Sequence, residues 1–167
     1  MKKLIGMSFL VASASLYAAD PVTLNITGNI VATPCQVSSD SVTIGVDLGQ
    51  NIQASDMQTA GAAAGWKPIN IKLVSCPAGT SSVIMTMHGT ADPVQPADLY
   101  LNNGAAQNVS VQLQSTGGTV LGDGKTITGN ISSGAYTFPL QARAYTKNGG
   151  ATPGTIAATV TASFVYN

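Results

Sequence analysis

A chain of 167 residues and 16.9 kDa has room for one ordinary domain built on one hydrophobic core. Seven basic residues balance seven acidic ones and only 8% of positions are charged, so no field exists that would hold nucleic acid or an anionic membrane surface. The 44% hydrophobic content, the 18 glycines and the many Thr, Ser, Ala and Val residues favour short strands and turns over helices or disorder, and an all-β domain is expected.

Residues 1–18 have the three parts of an export signal: Lys2 and Lys3, a largely apolar run from Leu4 to Val11, and a small-residue stretch ending Ser15-Leu16-Tyr17-Ala18. A membrane anchor would need about 20 apolar residues, and this run is broken by Ser13 and Ser15. Cleavage is expected after Ala18, because a cut after Ala19 would place bulky Tyr17 three residues before the scissile bond. The mature chain would begin Ala19-Asp20-Pro21, with five basic residues against seven acidic ones, a mild acidity that bears on solubility alone.

From Val22 to Ile30 the sequence alternates, with Val22, Leu24, Ile26, Gly28 and Ile30 on one side and Thr23, Asn25, Thr27 and Asn29 on the other. This is the period of a strand with one apolar face. Cys35 and Cys76 are the only cysteines, and in an exported chain with an even count one structural disulfide is the default reading. Closing a loop of that span would contribute roughly 4 kcal/mol.

Further strands are predicted at Val42–Leu48, Ile69–Val74, Val83–Met87, Val109–Leu113, Thr137–Tyr145 and Ile156–Tyr166. Ala54–Gly65 is Ala- and Gly-rich and reads as a loop with one short helical turn. The connectors carry turn residues, such as Asn102-Asn103-Gly104, Gly117-Gly118 and Asn148-Gly149-Gly150, as an antiparallel sandwich requires. The last segment is the most regular, with Ile156, Ala158, Val160, Ala162, Phe164 and Tyr166 on one face. It runs almost to the last residue, so its far edge is expected to be left without a partner, an exposed apolar edge that invites pairing with another chain.

Little in the sequence supports catalysis. His88 is the one histidine and has no second histidine or free thiol to work with. Gly124-Lys125-Thr126 resembles the end of a phosphate-binding loop, but the earlier glycine that motif needs would fall at Thr119, so a hairpin turn is the better reading. There is no glutamate, and the seven aspartates are scattered singly, so paired-carboxylate chemistry has little material. No enzyme activity, cofactor, metal or small-molecule substrate is expected.

Five features occur together: an export signal, an alternating N-terminal segment containing Gly28, Thr33-Pro34-Cys35 with Ser75-Cys76-Pro77, the run Phe138-Pro139-Leu140-Gln141-Ala142-Arg143-Ala144, and a C-terminal pattern. That pattern sets Gly154 fourteenth from the end and Tyr166 penultimate. On these residues the chain resembles the subunits of bacterial chaperone/usher fimbriae, and most of all a minor tip-fibrillum subunit of type 1 fimbriae.

The resemblance implies an immunoglobulin-like sandwich lacking its last strand, completed by a strand from a neighbour. It divides the chain into a signal peptide (1–18), a donor-strand extension (19–32) and a pilin domain (33–167). Val22, Leu24, Ile26, Gly28 and Ile30 would be the donor face. Gly154, Val160, Ala162, Phe164, Tyr166 and Asn167 would belong to the acceptor groove and the C-terminal strand that a chaperone holds, with the terminal carboxylate of Asn167 meeting basic chaperone residues. Implied partners are a periplasmic chaperone, an outer-membrane usher and neighbouring fimbrial subunits, the tip adhesin being one candidate, and the implied location is a cell-surface fimbrium reached through the periplasm. Two alternatives stand beside this reading: the major shaft subunit of the same kind of fibre, and a self-contained secreted carbohydrate-binding sandwich in which Trp66 and Tyr100 stack on sugars.

Overall fold

Alternating apolar positions become eight strands among the described residues of the computed structural model, which covers residues 23–167. The expected export signal, its cleavage site, Pro21 and Val22 lie outside the described residues. In chain order the strands are β1 (Gln36–Val37), β2 (Lys67–Val74), β3 (Ser82–Gly89), β4 (Leu99–Tyr100), β5 (Ser110–Ser115), β6 (Thr126–Asn130), β7 (Tyr136–Tyr145) and β8 (Val160–Tyr166). They form two antiparallel sheets, a larger one in the order β1-β2-β7-β5-β4 and a smaller one in the order β6-β3-β8.

Each sheet turns one face inward. Register pairs Ile69 with Leu140 and Ile71 with Phe138 in the larger sheet, and Met85 with Phe164 and Met87 with Ala162 in the smaller. The alternation seen in the sequence therefore places Leu73, Leu113, Phe138 and Leu140 opposite Val83, Met85 and Met87, all of them buried. Cys35 and Cys76 are bonded, with an S–S distance of 2.04 Å. They bracket the pairing of Gln36 with Val74, so the crosslink fastens the short β1 to the end of β2.

Three expectations change in the structure. Val42–Leu48 is not a ladder strand, since a single-turn helix, α1 (Ser39–Val42), interrupts it and residues 43–49 pair with no strand. The cause is local: the Ser38 amide donates to the Lys72 carbonyl and the Lys72 amide to Ser41 Oγ, so serine groups take over the β2 edge and turn the chain away. The last strand starts at Val160 rather than Ile156, because the stretch before it is held by a loop. Asn103 donates to the Ala157 carbonyl, and the Ala157 amide donates to Asn102 Oδ1. The N-terminal alternating segment, from residue 23 to Ile30, carries no ladder.

β1, β4 and β6 were not anticipated from the sequence. β1 and β4 are two residues long, too short to show a period. β6 reads as turn sequence, yet it pairs with β3, and the Tyr136 ring lies so close over Gly129 that a side chain there would meet it. The loop at Ala54–Gly65 does hold one helical turn, a 3-10 segment at Ala54–Met57 that buries Met57.

Tyr100 is buried, and its hydroxyl donates to the Leu121 carbonyl at 2.8 Å. Burial, with Asp123 nearby, raises its pKa far above the ordinary value of 10.0. The folded state thus keeps a proton that the unfolded chain releases above pH 10. The Tyr100 contribution to stability is whole below that pH and is lost as pH rises past it, by up to about 1.4 kcal/mol per pH unit. Alkaline titration of urea unfolding should show this slope, and Tyr100→Phe should flatten it.

Candidate strand-acceptor cleft

β3 and β8 pair in the smaller sheet, yet their inward residues are not equally buried. On β3, Val83, Met85 and Met87 are wholly buried, whereas on β8 the inward residues Val160, Ala162, Phe164 and Tyr166 are only half-buried. One edge of β8 is hydrogen-bonded to β3, and among the described residues the other edge pairs with no strand. Across from it runs the ladder-free stretch 43–48, with Ile44 and Val46 about 36–37% exposed.

Between these two backbones lies a cleft of about 1080 Å³. Ile69, Ile71, Leu113, Leu140 and Ala142 of the larger sheet form its floor, Val160, Ala162 and Phe164 one wall, and Ile44, Val46 and Leu48 the other. An apolar trough bordered on both sides by unpaired backbone has the chemistry to accept an extended strand with apolar side chains on one face. One end is lined by small residues, where Met57, Ala106, Val109, Ala144 and Ala151 form a second apolar cluster.

Gly154 lines that end. A side chain on it would run into the backbone of Ala105 and Ala106, so glycine lets the chain before β8 pass close to that loop. Val160, Ala162 and Phe164 lie on the cleft wall. Tyr166 lies beyond the cleft lining, where its ring stacks 6.4 Å from that of Phe164 and burial raises the pKa of its hydroxyl. Asn167 is also outside it: its main-chain oxygen accepts from the Ser81 amide at 2.7 Å and the Ser82 amide at 3.1 Å.

Leu24, Ile26 and Ile30 of the N-terminal segment are 78%, 83% and 101% exposed. A Cβ built on Gly28 would touch nothing, and the residue is not in the left-handed region. Among the described residues, therefore, neither packing nor backbone conformation requires a glycine there.

The ladder-free wall at 43–48 reads in the sequence as an ordinary strand, and its Ile44-Val46-Leu48 alternation is the signal that it offers apolar side chains to a partner. The alanine-lined end left no trace, because alanines at 106, 144 and 151 carry no periodicity that distinguishes a pocket. The sugar-stacking alternative loses its geometry. Tyr100 is buried in the core, away from Trp66, and one face of the Trp66 ring is covered by the Arg143 guanidinium, whose carbon lies 4.1 Å from the indole centroid. His88 is exposed, with Nε2 2.9 Å from Ser163 Oγ.

A family model described as "Fimbrial protein" matches residues 24–167. The chain is 42% identical to Protein FimG of Escherichia coli K12 over 158 residues, spanning 93% of this chain and 90% of that protein. It is 32% identical to a type-1 fimbrial protein subunit of Serratia marcescens, over 86% of this chain and 87% of that one. Among solved structures it resembles the P pilus rod subunit PapA, with a TM-score of 0.69 at 22% identity over 81% of this chain and all of that one. It also resembles the P pilus adaptor subunit PapF, with a TM-score of 0.54 at 19% identity over 83% of this chain and all of that one. These structural likenesses are of fold, and they identify the sandwich as the immunoglobulin-like fold of pilins.

Proposed function

The chain belongs to the fimbrial protein family, and from that premise we propose that it is a minor subunit near the tip of a type 1-like surface fimbria, joined to its neighbours by donor-strand exchange. In this reading residues 1–18 direct export to the periplasm and are removed. Residues 19–32 leave the subunit to fill a neighbour's cleft, and residues 33–167 form the domain whose own cleft takes a neighbour's strand. A periplasmic chaperone occupies the cleft first, contacting β8 and the end of the chain at Asn167, and an outer-membrane usher exchanges it for the next subunit. The protein is then a structural element supporting adhesion, with no catalytic role.

The observation that carries this reading is the apolar cleft with unpaired backbone on both sides. The exposed Leu24, Ile26 and Ile30, on one side of an alternating segment, supply the complementary feature. Motif resemblance to minor tip subunits, together with the 42% identity to FimG, favours the minor role over the major shaft subunit.

Gly28 offers the test. Since nothing among the described residues demands glycine, its absence of a side chain serves the surface on which it docks, where two backbones approach closely. Gly28→Leu should leave folding, chaperone capture and thermal stability of the subunit unchanged while cutting its incorporation downstream at least tenfold. Incorporation at the normal level, measured by mass spectrometry of sheared fibres, would remove Gly28 from the donor register.

A further inference from the structure

The outer face of the larger sheet, turned away from the cleft, gathers the chain's one tryptophan and its one arginine. The Arg143 guanidinium lies over the Trp66 ring at 4.1 Å and 5.7 Å from the centroid of the Tyr145 ring. The register explains the cluster: Arg143 pairs with Gln112 across β5 and β7, and Tyr145 is two residues further along the same face. Arg143 Nε donates to Gln112 Oε1 at 2.8 Å. Among the described residues this is the one hydrogen bond its guanidinium makes, so four of its five N–H donors have no protein acceptor.

A half-buried guanidinium held this way is pre-organised, and its remaining N–H donors are open to solvent and to an incoming acceptor. One aromatic ring fixes its plane, one amide fixes its rotation, and burial disfavours its charge, with Tyr145 the one neighbouring group acting the other way. The matching group for the free fork is a planar carboxylate, which takes two parallel N–H bonds. We propose that Arg143, flanked by Trp66 and Tyr145, is a docking point for an Asp or Glu side chain of an adjoining protein.

Three observations favour a protein over an acidic saccharide. The site is on a sheet face, whereas small-molecule sites are concave. Arg143 occupies one face of the Trp66 ring, removing it as a stacking surface for a sugar. Trp, Tyr and Arg are the residues most enriched at the energetic centres of protein interfaces, and the free amides of Gln114 and Gln141, paired across β5 and β7, extend the patch as a polar margin. The proposal is independent of strand donation, because none of these residues lines the cleft.

Trp66 is a built-in reporter as the chain's single tryptophan. The full mature chain, purified with its cleft filled, is titrated at low salt with the capped peptides acetyl-Gly-Asp-Gly-amide and acetyl-Gly-Asn-Gly-amide and with glucuronate, following Trp66 emission. The Asp peptide should give a saturable change with a half-point in the millimolar range, the Asn peptide none. Arg143→Gln should weaken the response at least tenfold and Arg143→Lys should retain part of it. Melting temperatures of the two variants within a few degrees of the parent would show that the fold is intact. In assembled fibres, a photo-crosslinking phenylalanine analogue replacing Gln114 should capture a peptide carrying Asp or Glu from another protein chain. Equal responses to Asp and Asn peptides, an unchanged response in Arg143→Gln, a stronger response to glucuronate than to the Asp peptide, or crosslinks to segments without an acidic residue would each overturn the proposal.

Discussion

A synthetic peptide of residues 20–31, added to the domain from which residues 1–32 have been removed, is expected to raise its melting temperature by roughly 10–20 °C. Four aliphatic side chains, Val22, Leu24, Ile26 and Ile30, would leave water for the cleft at about 1.5–3 kcal/mol each. Ladder bonds to β8 and to the 43–48 backbone would add about 1 kcal/mol apiece, against the entropy of ordering the peptide. The effect exceeds that of an ordinary ligand because the occupant completes a core: Phe164 and Val160 are half-exposed without it. A control peptide with Leu24 and Ile26 changed to Asp should have no effect. A domain that melts at the same temperature with and without the peptide would have a complete core already, and the cleft would not be an acceptor for this sequence.

Replacing both cysteines, Cys35→Ala with Cys76→Ala, should cost roughly 4 kcal/mol by chemical denaturation, the loop-closure entropy of a 41-residue separation. The consequence is larger here than the figure suggests. β1 is two residues long, so the bond reinforces the few hydrogen bonds, at β1 and at Ser38 and Ser41, that tie the chain leading into the 43–48 wall to β2. Loss of the crosslink should therefore weaken binding of the donor peptide as well as folding, whereas Tyr100→Phe should leave binding unaltered. If peptide affinity survives reduction unchanged, the wall is positioned by its own contacts and the disulfide serves stability alone.

Much of the sandwich was legible because its inner faces obey a period of two. Ile69–Val74, Val83–Met87 and Thr137–Tyr145 alternate over five to nine residues, and each is a strand with ends shifted by two residues at most. Elements without that period escaped. β6 contains Gly129 and looks like a turn, and it becomes a strand through tertiary contact, with β3 on one edge and the Tyr136 ring above it. The stretch Val42–Leu48 has the right alternation but the wrong neighbours, because the serines ahead of it divert the chain from the β2 edge.

The site divides in the same way. Val160, Ala162 and Phe164 were readable as one face of one strand, but the wall opposite and the alanine-lined end come from residues far apart in sequence. The sequence by itself determined an all-β chain, two cysteines able to pair, an alternating N-terminal segment and an apolar last strand, since each is local composition or periodicity. Only the tertiary structure decided that residues 43–48 face the free edge of the last strand across an open core, and that Arg143 rests on Trp66 behind it. Those are relations between segments tens of residues apart, set by sheet register and by which backbone groups find partners, and no local pattern encodes them.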